Sequence, residues 1–335
     1  MSQASRVKLS AAARMALPSA PAGFRTDPEA DLSELWRIHD TALAESPHDA
    51  ARGPSLLALK AEIARRIMRD CVLCERRCGV DRASGQLGVC ATGPTTHVYF
   101  AGLLAKEEEE ISPSFSLFPA GCDFSCEFCF GREENSRPDE GELLTATALD
   151  DWLGQPENAG ARTISFIGGE PTVHLAEILQ VLANLGSSLP AVWNSNFYFS
   201  AETARLIDGV MDYYVADCHF GSDDCALRLA NAPNHFAVVT RNLLWAAERS
   251  QLILRHLVLP GHFECCARPV LEWAAAHLDA PVHVMCNYVP PAGGAGGDLG
   301  RFLTDAEIEE ALACARDLGL NLIADASQVL VTPRS

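Results

Sequence analysis

The sequence predicts an α/β fold: a partial (β/α)6 TIM-type barrel preceded by a helical, cysteine-containing N-terminal extension. Three observations carry this reading. From about residue 112, short β-branched or aromatic runs alternate with longer stretches of helical periodicity, which implies βαβ units and a parallel sheet. The runs are continuously apolar rather than alternating, as in strands covered on both faces. Six of them are too few for an eightfold barrel and suit a partial one.

In chain order, residues 1–30 are rich in Ala, Ser and Pro and are expected to form a poorly ordered tail. Residues 31–98 form the helical, four-cysteine metal-binding region. Its helices are DLSELWRIHDTALAES and PSLLALKAEIARRIMRD, the second with Leu56, Leu57, Leu59, Ile63 and Ile67 at helical spacing. Residues 99–335 form the barrel. Its strands are predicted at SLFP (116–119), TISFIG (163–168), AVWNSN (191–196), DYYVAD (212–217), LILRHLVLP (252–260) and VHVMCNY (282–288). Helix patterns between them include ATALDDWLG, HLAEILQVLANLG, HFAVVTRNLLWAAERS and ARPVLEWAAAH. The acidic run KEEEE (106–110) reads as a solvated charge run.

The 335 residues are 48% hydrophobic and 21% charged, enough to bury a sizeable core. Asp and Glu number 44 against 26 Lys and Arg, a net charge of −18 that repels phosphate backbones and anionic membranes. Neither nucleic acid nor a membrane is an expected partner, and no run of apolar residues is long enough to span a bilayer. Seven of the thirteen cysteines fall in two tight clusters of metal-ligand spacing, which fits a reducing compartment. A cytoplasmic location is expected.

Just after the first predicted strand, GCDFSCEFCF places Cys122, Cys126 and Cys129 in a C-x3-C-x2-C array, with Phe128 before the last. A saturated iron–sulfur cubane takes four thiolates, so three leave one iron open to a ligand from outside the protein. Catalytic zinc sites keep a position free in the same way. Zinc, or three buried structural cysteines, are the competing readings of this array alone. In GGEP, Gly168 and Gly169 would let the backbone approach a ligand closely, and Glu170 can accept from an ammonium. Asn194 and Ser195 of WNSN offer donors and acceptors suited to sugar hydroxyls. Arg255 suits a carboxylate. All of these lie at C-terminal strand ends, where parallel barrels build their active sites.

The cysteine array, followed in order by GGEP, WNSN, DYYVADCH, LILRHLVLPGH and MCNYVPPA, resembles the radical S-adenosylmethionine superfamily over roughly residues 65 to 320. The resemblance implies a [4Fe–4S] cluster on Cys122, Cys126 and Cys129 whose open iron binds the methionine moiety of S-adenosylmethionine. Reductive cleavage would give methionine and a 5′-deoxyadenosyl radical that abstracts hydrogen from a protein, peptide or small-molecule substrate. It also implies that Gly168, Gly169 and Glu170 hold the amino group and that Asn194 and Ser195 contact the ribose. Asp217 and Arg255 would act around the carboxylate, His256 is a further candidate contact, and Phe128 packs near the adenine. A reducing partner such as flavodoxin or ferredoxin follows. The nearest branch is the one related to the pyruvate formate-lyase activating enzyme with an N-terminal cysteine group. Two departures from it are His219, where lysine is frequent, and FGREENSR after Cys129, where Gln-Asn is common.

Cys71, Cys74, Cys78 and Cys90 suit a structural zinc site or a second Fe–S cluster. Arg76 and Arg77, between them, read as solvent-facing. Cys218 and Cys286 read as small core residues, and Cys225 and Cys314 as helix packing. The adjacent pair Cys265 and Cys266 is poorly placed to serve one metal. His174 and His262 lie beyond strand ends and read as surface or capping residues, with the cavity wall as the alternative. A non-catalytic Fe–S or zinc protein for electron transfer or scaffolding would have no use for the strand-end series, and no H-E-x-x-H set supports a zinc hydrolase.

Overall fold

A computed structural model describes residues 31–44, 56–291 and 296–323. The tail expected over residues 1–30 lies outside them. Eight strands form one sheet in the order β3-β1-β2-β4-β5-β6-β7-β8. They are β1 (His97–Leu104), β2 (Ser114–Pro119), β3 (Glu142–Leu143), β4 (Thr163–Phe166), β5 (Ala191–Ser195), β6 (Tyr213–Asp217), β7 (Gln251–Leu257) and β8 (Val282–Met285). The predicted runs correspond to β2 and β4 to β8, which are all parallel. β1 pairs antiparallel with both β2 and β3, an edge ribbon the sequence did not suggest. The order runs from β3 to β8 without closing, so the barrel is open, and one isolated bridge adds Leu322 beside Val282 of β8.

Ten helices are described: α1 (Leu32–Ala44), α2 (Leu56–Ile67), α3 (Arg132–Asn135), α4 (Ala146–Leu153), α5 (Leu175–Asn184), α6 (Ala201–Ile207), α7 (Asp223–Ala230), α8 (His235–Ala247), α9 (Arg268–His277) and α10 (Asp305–Asp317). Several begin at side-chain caps that satisfy otherwise orphaned N–H groups. Thr145, Ser200 and Ser222 accept from the backbone at the starts of α4, α6 and α7, and Thr304 forms a capping box with Glu307 at α10. The sequence patterns did not indicate α3 or α6, and α7 and α10 were expected only as the helices that carry Cys225 and Cys314.

The N-terminal extension shares the barrel's core. Leu56, Leu59, Ile63 and Ile67 of α2 are buried in the same apolar cluster as Phe115 and Leu117 of β2, and α2 packs along α5. Lys60 of α2 is fully buried, and its Nζ donates to Arg205 O and Asp208 O at 3.1 and 2.6 Å. An ammonium at the end of α6 satisfies its orphan carbonyls and complements the helix dipole. Burial lowers this lysine to about 8. Among the described residues, no helix is long and apolar enough to cross a membrane.

Candidate active site

The loops that follow the parallel strands converge on one cavity of about 260 Å³. Cys122, Cys126 and Cys129, on the loop after β2, are half-buried and line it. Phe128, Gly168, Gly169, Glu170, Asn194, Ser195, Asp217 and Arg255 line it too. The fold thus gathers every cofactor-contact candidate named from the sequence except His256 around one space. Phe130 also lines it and is 88% exposed, so the cavity reaches the surface.

The two glycines of GGEP work differently from the expectation. Gly168 has φ +76, and a Cβ there would stand 2.6 Å from the Phe118 Cα and the Pro119 nitrogen. A Cβ on Gly169 would fall 2.0 Å from Gly121 O, the residue before Cys122. What their small size permits is close approach of the β4 loop to the cysteine loop; it is the protein's own backbone they accommodate.

Glu170 is buried and knits three segments together. Its Oε1 accepts from Thr172 N at 3.0 Å, Thr172 Oγ1 at 2.5 Å and Ser195 Oγ at 2.7 Å, while Oε2 accepts from Asn196 N at 2.9 Å. Asn196 in turn donates through Nδ2 to Asp123 Oδ1 at 2.7 Å, tying β5 to the cysteine loop. Burial pushes both Asp123 and Glu170 upward, and repulsion from Asp123 adds to the rise of Glu170. Asn194 differs from these engaged neighbours. It is 2% exposed, yet neither its Oδ1 nor its Nδ2 has a partner.

Arg255 is not solitary either. Its Nε donates to Glu108 Oε1 at 2.6 Å and its Nη2 bonds to Glu108 Oε2, while Glu107 lies 3.4 Å away. His283 Nδ1 meets the same Glu108 Oε1 at 2.7 Å. Burial works to raise Glu108, but the hydrogen bonds from Arg255 and His283 hold its carboxyl well below the usual range. The KEEEE run is solvated only in part: Lys106, Glu109 and Glu110 are exposed, whereas Glu108 is 2% exposed and anchors a cavity residue. Asp217 is raised to about 6 by burial, against the pull of Arg255. His219 packs its ring on Phe128 at 5.6 Å and is lowered by burial to about 4, so it is neutral near pH 7.

Arg76 is also misread by its sequence context. Its Nε and Nη2 donate to Asp123 O at 2.9 and 2.7 Å, and its guanidinium lies over Phe124 and Tyr198. It braces the cysteine loop against the N-terminal region, whereas Arg77 is exposed as expected. Cys71, Cys74, Cys78 and Cys90 surround one small cavity of about 10 Å³ together with Arg82. His174 is a core residue, its Nδ1 3.0 Å from Thr96 Oγ1, and His256 is buried with its Nδ1 2.8 Å from Cys218 O. Sequence reasoning missed Asp123, Asn135 and Asn196. Asn135 lines the cavity, and its Nδ2 donates to Cys129 Sγ at 3.7 Å. Position inside C-x3-C and WNSN could have flagged the first and third; nothing flagged Asn135.

The donor set suits an iron–sulfur group. Burial raises all three thiols, so a bound metal is what would hold them as thiolates. A family described as a 4Fe-4S single cluster domain matches residues 114–213, which include Cys122, Cys126, Cys129, Glu170, Asn194 and Ser195. That match supports the resemblance to the radical S-adenosylmethionine superfamily. Crystal structures with fold-level likeness include Streptococcus suis SuiB bound to S-adenosylmethionine, with TM-score 0.46, 13% identity, and coverage of 87% of this chain and 59% of that one. SuiB bound to precursor peptide SuiA gives 0.45, 15%, 60% and 46%, and HydG, a maturase of the [FeFe]-hydrogenase, gives 0.44, 13%, 86% and 62%. This chain thus spans about half the length of the SuiB chains it matches. The uncharacterized protein MJ0674 of Methanocaldococcus jannaschii is 34% identical over 312 residues, covering 88% of this chain and 90% of its own. Identity at that level along nearly the whole of both chains makes this protein a member of the MJ0674 family.

Proposed function

We propose that the protein is a radical S-adenosylmethionine enzyme, which cleaves that molecule reductively to methionine and a 5′-deoxyadenosyl radical and removes hydrogen from a protein, peptide or small-molecule substrate. The observation that carries this reading is the pairing of three thiols, rather than four, with a buried amide that lacks partners on both its atoms, all on one cavity wall. Leaving a buried donor or acceptor unsatisfied costs about 1–3 kcal/mol, so Asn194 is set for a ligand with polar groups such as sugar hydroxyls.

A [4Fe–4S] cluster on Cys122, Cys126 and Cys129 would supply the electron and an open iron for the methionine moiety. Glu170, held rigid by four donors, would take the ammonium, and that positive charge would keep the carboxylate ionised in spite of its burial. Arg255, fixed by Glu108, and Asp217 would frame the carboxylate. Asn194 would meet the ribose, with Ser195 holding Glu170 in place beside it. Phe128, braced by His219 and Phe220, would pack on the adenine. Together these groups would orient the bound molecule and fix the charges around it.

We place the protein in the branch related to the pyruvate formate-lyase activating enzyme, working in the cytoplasm with reduced flavodoxin or ferredoxin as donor. Cys71, Cys74, Cys78 and Cys90 would hold a second metal, zinc or Fe–S; their convergence on one cavity supports this.

The test is anaerobic reconstitution with iron and sulfide, addition of S-adenosylmethionine and dithionite, and quantification of 5′-deoxyadenosine. The wild type should form it, and the variant with Cys122, Cys126 and Cys129 replaced by alanine should not. A fully loaded protein that neither forms 5′-deoxyadenosine nor binds S-adenosylmethionine in a titration would refute the proposal.

A further inference from the structure

We propose that Cys225, His262, Cys265 and Cys266 form a closed, tetrahedral zinc site, separate from both sequence-predicted cysteine groups. Their ligand atoms all lie within 4.8 Å of one another. Cys225 Sγ is 3.5 Å from Cys265 Sγ and 3.7 Å from His262 Nδ1. Cys265 Sγ is 3.3 Å from that same Nδ1 and 3.8 Å from Cys266 Sγ. Zinc–sulfur bonds of about 2.3 Å and zinc–nitrogen bonds of about 2.0 Å in a tetrahedron require sulfur–sulfur and sulfur–nitrogen separations of about 3.8 and 3.6 Å. The two sulfur–sulfur and two sulfur–nitrogen spacings lie within about 0.3 Å of those values. Three thiols and one imidazole nitrogen are a donor set that favours zinc.

Local backbone explains how adjacent cysteines serve one ion. Residues Phe263–Ala267 form a single π-helical turn, in which His262 O accepts from both Cys266 N and Ala267 N at 2.9 and 3.3 Å. Such widened turns concentrate at functional sites. Cys225 reaches the same point from the first turn of α7. Three thiolates and a divalent ion leave one negative charge. Arg228 Nη2 stands 3.9 Å from Cys225 Sγ to offset it.

The site sits where it stabilises the cysteine loop. Cys225 and Cys266 belong to the same apolar cluster as Phe124 and Phe128, against which Cys265, Cys122 and Cys126 pack. Leu229 O and Ala230 O, at the far end of α7, accept from Glu127 N and Ser125 N of that loop at 2.8 and 3.1 Å. An ion tying the first turn of α7 to the turn after β7 would thus fix the helix that grips the loop.

The full chain would be purified anaerobically and its zinc quantified, beside a Cys225→Ser/Cys265→Ser double variant and a Cys314→Ser control. The parent and the control should each hold one zinc per chain more than the double variant. Cobalt substitution of the parent and of His262→Cys adds a readout that needs no lost ligand: thiolate-to-cobalt bands should be present in both and shifted by the exchange of nitrogen for sulfur. Should the double variant not fold, that shift decides the matter. Equal zinc in a folded double variant and the parent, cobalt bands unchanged by His262→Cys, or a Cys225–Cys265 disulfide found by mass mapping would each overturn the proposal.

Discussion

At the turn after β7, three thiols and an imidazole stand within 4.8 Å of one another, a gap that one ion fills. On the loop after β2, three thiols line a cavity of about 260 Å³ that reaches the surface past Phe130. Both sets pack on one apolar cluster, and they differ in what faces them. The compact set is surrounded by its own ligands and an arginine, as a structural site requires. The cavity set faces Asn194, Asp217 and Arg255, polar groups with capacity for something else. What separates a reactive metal site from a structural one here is the unoccupied side, more than the ligand type.

The sharpest break between the two is reciprocal. Alanine at any one of Cys122, Cys126 or Cys129 should reduce bound iron and bring 5′-deoxyadenosine below detection while leaving the zinc count unchanged, read by metal analysis and product assay together. Next in size is Glu108→Gln, which removes the closer of the two carboxylates that pair the buried Arg255 charge and leaves Glu107 at 3.4 Å. Breaking a buried pair this way costs about 3–5 kcal/mol, measurable by denaturant unfolding.

Asp217→Asn sharpens the contrast through pH. Burial raises Asp217 to about 6 in the fold from 3.8. The folded chain therefore holds a proton that the unfolded chain has lost, and stability falls as pH climbs from about 4 to about 6. Removing the charge should flatten that decline and stabilise the protein at pH 7 by up to about 3 kcal/mol, at the expense of activity. Thermal unfolding across pH 4 to 8 checks it. The smallest effect belongs to Asn194→Ala, which should weaken S-adenosylmethionine binding about tenfold with iron content intact, as loss of one or two hydrogen bonds implies.

Local patterns made much of the fold legible. Parallel strands buried on both faces leave unbroken apolar runs, so β2 and β4 to β8 could be read, and their ends located the cavity. β3 is two residues long and carries no such run, while β1, although VYFAGLL is apolar, precedes the strand–helix alternation and pairs antiparallel, so neither was read. The buried role of Glu108 was hidden because its partner Arg255 is 147 residues away and an acidic run looks solvated in isolation. The zinc ligands were illegible for a related reason. Cys225 lies 37 residues before His262, and only a π turn lets Cys265 and Cys266 point to one ion.

The most direct test of the open corner is electron–nuclear double resonance on the reduced, reconstituted protein with S-adenosylmethionine labelled with 15N at its amino group. A 15N coupling to the cluster is expected, since three cysteines leave one iron for the methionine moiety. A cluster that reduces normally in the presence of bound S-adenosylmethionine yet shows no 15N coupling would contradict it.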